Sequence, residues 1–198
     1  MKIGSHDSLS YLKPRIWWMR PFHFVARCQS KTYQEQYEAG ARYFDVRLRT
    51  TIDPNAEPTI AHGIMPFRAK AGFLNEMFGW LDGRSTSDNP IYIRLLYEMP
   101  MKDKTKEAEK KEQVFVSLCQ KYMEAYPNLR FCGGQRKYDW KLLVSLPPHP
   151  CSKDLYSSMT WKKWDDWCPW FYAHFMNKKN WEKYKDAQPN CFALMDFI

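Results

Sequence analysis

The stretch Tyr43-Phe44-Asp45-Val46-Arg47-Leu48-Arg49 constrains this chain more than any other. Side chains of a strand point alternately to its two faces, so Phe44, Val46 and Leu48 share one side and Asp45, Arg47 and Arg49 the other. Ile91–Glu98 repeats the device, with Tyr92, Arg94 and Glu98 opposite Ile91, Ile93 and Leu95. A strand covered by helices on both faces reads apolar throughout. A charged row therefore marks either a sheet face open to water or a site, and both readings stand at this level. The charges gather toward the C-terminal halves of these strands, the end at which a β/α barrel builds its site.

Further short apolar runs read as strands: Ile3–Ser5, Thr59–His62, Leu129–Cys132, Leu142–Leu146 and Cys191–Phe197. Between them lie helical patterns over Thr32–Ala39, Gly72–Leu81 and Lys104–Ala125, the last with Val114, Leu118 and Tyr122 at helical spacing. Such alternation predicts βα units around a parallel sheet, an α/β fold. Pro147–Pro169 is Pro- and Trp-rich and reads as loops with short helices, Trp161, Trp164, Trp167 and Trp170 forming a stripe before Pro169 breaks it. With 198 residues the chain holds one core, and residues 1–198 read as a single domain.

Composition excludes several classes. At 44% hydrophobic and 17% aromatic the chain is too apolar for disorder. No apolar run approaches about 18 residues, so no transmembrane segment is expected. The net charge of +8 points to an anionic partner: nucleic acid, an anionic membrane or a phosphate-bearing substrate. Glycine-rich phosphate loops and GxSxG elbows are absent. The six cysteines show no CxxC pair, which leaves reduced thiols and disulfides both open. His23, His149 and His174 lack partners at metal-ligand spacing and read as structural or surface residues, and Met1–His6 shows no signal peptide.

Four short motifs stand at strand ends: Gly4-Ser5-His6-Asp7-Ser8, Asp45-Val46-Arg47, Ala61-His62-Gly63 and Met195-Asp196-Phe197. In order and spacing, Gly4–Ser8, then Tyr37–Arg47, then His62-Gly63, resemble the catalytic X region of phosphatidylinositol-specific phospholipases C, in the bacterial branch. The match covers roughly the first 65 residues, with looser agreement over Pro90–Leu96 and Cys191–Asp196.

The resemblance implies a distorted or trimmed TIM-like (β/α) barrel that cleaves a phosphodiester without a metal or other cofactor. His6 would be the general base and His62 the general acid. Asp7 would support the acid, Asp196 would orient His6, and Arg47 would stabilise charge on the phosphate. Arg47 and Leu96 replace acidic ligands of the calcium-dependent branch, which speaks against a calcium site. Bacterial relatives carry a Lys where Leu96 stands, and Arg94 on the same face is the candidate substitute, with Arg49 beside it for substrate binding. Their later Arg and their Asp-x-Tyr pair at the sugar find no assigned counterpart, so the headgroup stays open.

The partner so implied is a phospholipid at a membrane surface rather than nucleic acid, with a secreted or peripheral, monomeric protein. Ile16–Phe24, rich in Trp and Phe, is a candidate lipid contact or a packed loop. Two other functions compete: a non-catalytic phosphoinositide-binding module on the same barrel, and a metal-dependent glycerophosphodiesterase-like enzyme.

Overall fold

The computed structural model describes residues 1–98, 106–133, 150–157, 168–186 and 190–198. Within them the chain order is β1 (Lys2–Ser5), a 3-10 helix (Trp17–Phe22), α1 (His23–Ala26), α2 (Tyr33–Glu38), β2 (Ala41–Arg49), β3 (Thr59–His62), β4 (Met65–Pro66) and α3 (Phe73–Asp82). Then follow β5 (Tyr92–Tyr97), α4 (Lys106–Ala125), β6 (Arg130–Gly133), β7 (Ser152–Leu155), α5 (Pro169–Tyr184) and β8 (Phe192–Met195). The expected strand at Leu142–Leu146 lies outside the described residues, as do His149, Trp161, Trp164 and Trp167.

Six strands run parallel in the order β6-β5-β2-β1-β8-β7. The sheet is strongly curled. Tyr92 on β5 and Phe192 on β8 stand three strand spacings apart, about 14 Å along a flat sheet, yet their ring centroids are 5.3 Å apart. The result is an open barrel, as the α/β reading expects. On its outer face Phe44, Val46, Leu48, Ile93 and Leu95 pack against Leu74, Met77, Phe78 and Leu81 of α3 and Phe115, Cys119 and Tyr122 of α4. Val114 and Leu118 are only half-buried whereas Tyr122 is buried as expected, so the core stripe of α4 runs through Phe115 and Cys119 to Tyr122. On the inner face Tyr43, Cys132, Phe192 and Leu194 fill the barrel floor. Gly4 belongs there because a Cβ would lie 2.8 Å from the Leu194 side chain.

Local signals explain the element that leads into the charged strand. Thr32 and Glu35 form a reciprocal capping box at the start of α2. Gly40, at φ 98°, then turns the chain into β2, a conformation a side chain would strain.

Three expectations are corrected. β3 is not a βα unit: it returns antiparallel along the C-terminal end of β2 (Leu48↔Ile60) and pairs with β4. The region read as loops contains β7, in parallel register with β8. Pro169, expected as a helix breaker, opens α5, at a first-turn position where its missing N–H costs nothing. Cys151 and Cys191 form a disulfide between the starts of β7 and β8, while Cys28, Cys119, Cys132 and Cys168 are free and buried. No described helix is long and apolar enough to cross a membrane.

Candidate active site

Alternation along the parallel strands sorts the barrel interior into two levels. Tyr43, Tyr92 and Phe192 point inward below; two to six residues later on the same face come Asp45, Arg47, Arg94, Glu98 and Asp196. The charged row of the sequence is therefore not an exposed sheet face, since Asp45 is fully buried and Arg94 nearly so, and the fully buried Asp196 joins it from β8's end. His6 and Asp7 follow β1 directly, and His62 ends β3, so the antiparallel excursion carries it over the same mouth.

His6 is held from both sides. Its Nδ1 lies 2.7 Å from Asp196 Oδ1, and its Nε2 lies 2.6 Å from Arg47 Nη2. A carboxylate only accepts and a guanidinium only donates. The ring thus carries its proton on Nδ1 and presents a lone pair at Nε2. The other oxygen of Asp196 accepts from the Ser157 backbone N–H at 3.1 Å. The Tyr156 ring stacks flat on the imidazole, centroids 3.5 Å apart and planes within 2°.

His62 is the second imidazole, edge-to-face with His6 at 6.2 Å. Its Nδ1 is 2.9 Å from Asp7 Oδ2 and 2.9 Å from the Ala26 carbonyl. Burial works against charge on this ring, but the Asp7 carboxylate beside it outweighs that and raises the His62 pKa above the ordinary value. The imidazolium is favoured here.

Arg47 joins His6 to two further carboxylates. Its Nε and Nη2 donate to Asp45 Oδ2 at 3.1 and 3.0 Å, and Glu98 Oε2 is 3.8 Å from Nη1. Burial alone would push the Asp45 carboxyl up; the Arg47 and Arg94 guanidiniums hold it well below the usual carboxylate range. Asp45 also accepts from the Asp7 backbone N–H, tying the loop after β1 to β2. Gln29 completes the brace, donating to the carbonyls of His6 and Met195.

The seven residues singled out by sequence thus divide. The structure brings His6, Asp7, Arg47, His62 and Asp196 together at one mouth. Arg94 is buried behind them, 3.8 Å from Asp45. Arg49 stands at the rim with its donors engaged by the backbone carbonyls of Glu98 and Gly63, so it pins the loop after His62 to the end of β5. Sequence reasoning put Asp45 and Glu98 on the charged faces without making them partners of Arg47, and missed Cys28, Gln29 and Tyr156. The signal for Tyr156 was present: Asp154-Leu155-Tyr156 is an Asp-x-Tyr element, and β7 delivers its ring over His6. His23 is structural, its Nε2 2.8 Å from the Ser10 carbonyl.

No protein-family model matches the chain, and no curated protein sequence is similar to it. Solved structures are. The phosphatidylinositol-specific phospholipase C of Listeria monocytogenes superposes with a TM-score of 0.64 at 17% identity, over 100% of this chain and 88% of that one. A pentafluoro-Phe-containing phosphatidylinositol-specific phospholipase C of Staphylococcus aureus does so at 0.64 and 14%, over 99% of this chain and 85% of that one. The chain has the barrel fold of these bacterial phosphodiesterases.

Proposed function

We propose that the protein is a phosphodiesterase that cleaves the glycerol-side phosphodiester of a phospholipid, phosphatidylinositol or a similar lipid, by paired histidine acid–base catalysis. The observation that carries the reading is the pair of opposed imidazoles, each with its own carboxylate and one guanidinium beside them. Two groups poised in opposite protonation states are what an in-line displacement with proton transfer at both ends requires.

In this reading Nε2 of His6 takes the proton of a headgroup hydroxyl next to the phosphate. That oxygen forms the new bond to phosphorus while the bond to the glycerol oxygen breaks. His62, protonated and held by Asp7, delivers its proton to the leaving diacylglycerol oxygen. Arg47 compensates the charge on the phosphoryl oxygens. The products are diacylglycerol and a cyclic phosphate, leaving His6 protonated and His62 neutral. Water can then open the ring with the two roles exchanged, restoring both proton states.

Arg47 has a second part. Its Nη2 covers the Nε2 lone pair that must accept the substrate proton. Phosphate oxygens compete for the guanidinium, so binding the anion uncovers the base. A membrane-borne substrate is supported by the exposure of large apolar side chains: Trp17 is 76%, Phe22 58% and Ile64 64% exposed. Trp18 and Phe24 extend this face, and α1 packs against α5, which exposes Trp170 and Phe175.

The test is turnover of phosphatidylinositol vesicles in EDTA by the protein and by His6→Ala and His62→Ala. Loss of about 10²–10⁴ in rate is expected in each. Unchanged rates in both variants would falsify the assignment, and vesicle binding without turnover would replace it with a binding module.

A further inference from the structure

One feature of the site takes no part in that chemistry. Cys28 is fully buried between the two histidine–carboxylate pairs, its Sγ 3.8 Å from His62 Nδ1. We propose that Asp7, Cys28 and His62 form a binding site for a thiophilic divalent cation of the zinc class.

The three donor atoms, one carboxylate oxygen, one sulphur and one imidazole nitrogen, all lie within 4.8 Å of one another. Tetrahedral coordination at bonds of about 2.0–2.3 Å needs ligand atoms roughly 3.3–3.8 Å apart. The Cys28–His62 separation already meets that, and the 2.9 Å between Asp7 and His62 must widen by less than 1 Å. A second observation points to a missing ligand. Asp7 is fully buried, and its Oδ1 has no hydrogen-bond partner among the described residues. A buried carboxylate oxygen left unpaired is costly, and a cation supplies what the protein does not.

Cys28 also neighbours His6 and Asp196, but that trio is spoken for. Both ring nitrogens of His6 have partners, and both oxygens of Asp196 do too. Of the two trios, the Asp7 one offers an uncommitted ligand atom, Asp7 Oδ1, and the ion must also displace the Ala26 carbonyl from His62 Nδ1. The His62 side chain, 20% exposed, gives the ion a way in. On binding, the ion replaces the Cys28 thiol proton and the Nδ1 proton of His62, both released to water. Solvent fills the fourth position, and affinity rises with pH because protons are expelled.

The bound ion would take His62 away from Asp7. If the phosphodiester reading holds, such ions inhibit by removing the general acid; that consequence rests on the proposed function, whereas binding does not.

The experiment is titration of the full chain with Co²⁺ as a spectroscopic probe, followed by displacement with Zn²⁺. Expected are visible d–d bands of tetrahedral cobalt and a near-ultraviolet thiolate-to-cobalt charge-transfer band, both erased by Zn²⁺. Cys28→Ala should abolish the charge-transfer band while Cys119→Ala leaves it. Asp7→Asn and His62→Gln should each weaken binding by at least about 10- to 100-fold, with near-ultraviolet circular dichroism confirming that both are folded. Asp196→Asn should change affinity by no more than about threefold, the coupling expected of a neighbour that is not a ligand. Absence of the band in the parent chain, its survival in Cys28→Ala, or equal losses in Asp196→Asn and Asp7→Asn would each overturn the site. Because the readout is spectroscopic, a chain that binds the ion but cleaves no lipid loses only the proposed function.

Discussion

The two histidine–carboxylate pairs are made of the same residue types yet are built differently. The His6–Asp196 pair is saturated: both ring nitrogens, both carboxylate oxygens and one ring face are occupied. Its geometry can hardly change without losing several contacts. The His62–Asp7 pair is sparse, with one carboxylate oxygen unpaired and the ring partly open to solvent. Saturation fixes a tautomer, which suits a base whose lone pair must sit at one place. Sparseness around a favoured imidazolium suits a donor that must follow a departing oxygen. In the proposed reaction, environment and not residue type would assign the roles.

The sharpest way to break this comparison is a substrate with a good leaving group. On phosphatidylinositol, His6→Ala and His62→Ala should lose comparable rate, each about 10²–10⁴. On a nitrophenyl phosphodiester of the same headgroup the His62→Ala loss should shrink at least tenfold, roughly 1.4 kcal/mol, while the His6→Ala loss stays. Equal deficits on both substrates would remove the asymmetry. Next in size is Arg47→Lys, which keeps the charge but not the fork that joins Asp45 and His6. A fall in kcat of about 10²–10³ with a modest change in KM is expected, and steady-state kinetics on vesicles of fixed composition measures it.

A smaller effect sharpens the comparison through pH. The general acid must be protonated, so the alkaline limb of kcat reports His62. Asp7 raises its pKa; Asp7→Asn should therefore move that limb to lower pH, and the acidic limb should stay. The same shift makes a stability statement. A histidine whose folded-state pKa is raised stabilises the fold fully below its unfolded value, near 6.5, and loses that contribution as pH rises through the folded value. Urea midpoints of the parent chain should fall, relative to Asp7→Asn, across that window. The smallest effect belongs to the rim. Trp17→Ala with Trp18→Ala should weaken vesicle binding about tenfold, on the scale of burying two aromatic side chains partway into an interface. Turnover of a short-chain monomeric substrate should be unaffected. Co-sedimentation with anionic vesicles separates the two.

Much of this arrangement was legible in the sequence, for identifiable reasons. The alternation in Tyr43–Arg49 puts Asp45 and Arg47 on one face because the strand period is two, whatever surrounds it; that this face is the barrel interior is a tertiary fact. His6, Asp7, His62 and Asp196 were legible because each sits at the end of an apolar run. Direction was not: nothing in Thr59–His62 says that β3 runs back along β2, since an antiparallel and a parallel strand of four residues look alike. β7 was invisible because Ser152-Lys153-Asp154 is polar and short, and its register comes from β8 and the disulfide. α5 carries lysines and asparagines around most of its circumference, which leaves a faint helical period. The roles of Cys28 and Gln29 are tertiary throughout. Their segment lies across the C-terminal ends of β1 and β8, and no local pattern announces a contact 166 residues away in the chain, as between Gln29 and Met195.

Asp7 holds one more consequence. Its backbone lies at φ 40°, in the left-handed region, at a cost of roughly 1 kcal/mol for a residue with a side chain. Its carboxylate is buried with an oxygen unpaired. Both facts oppose folding at the same residue, so the chain carries here a reserve of instability that a glycine would release. At a pH above the His62 titration, where the ion pair with Asp7 no longer stabilises the fold, Asp7→Gly should melt at a higher temperature than the parent while losing the His62-dependent rate. Selection for stability in that pH range alone would not keep this residue.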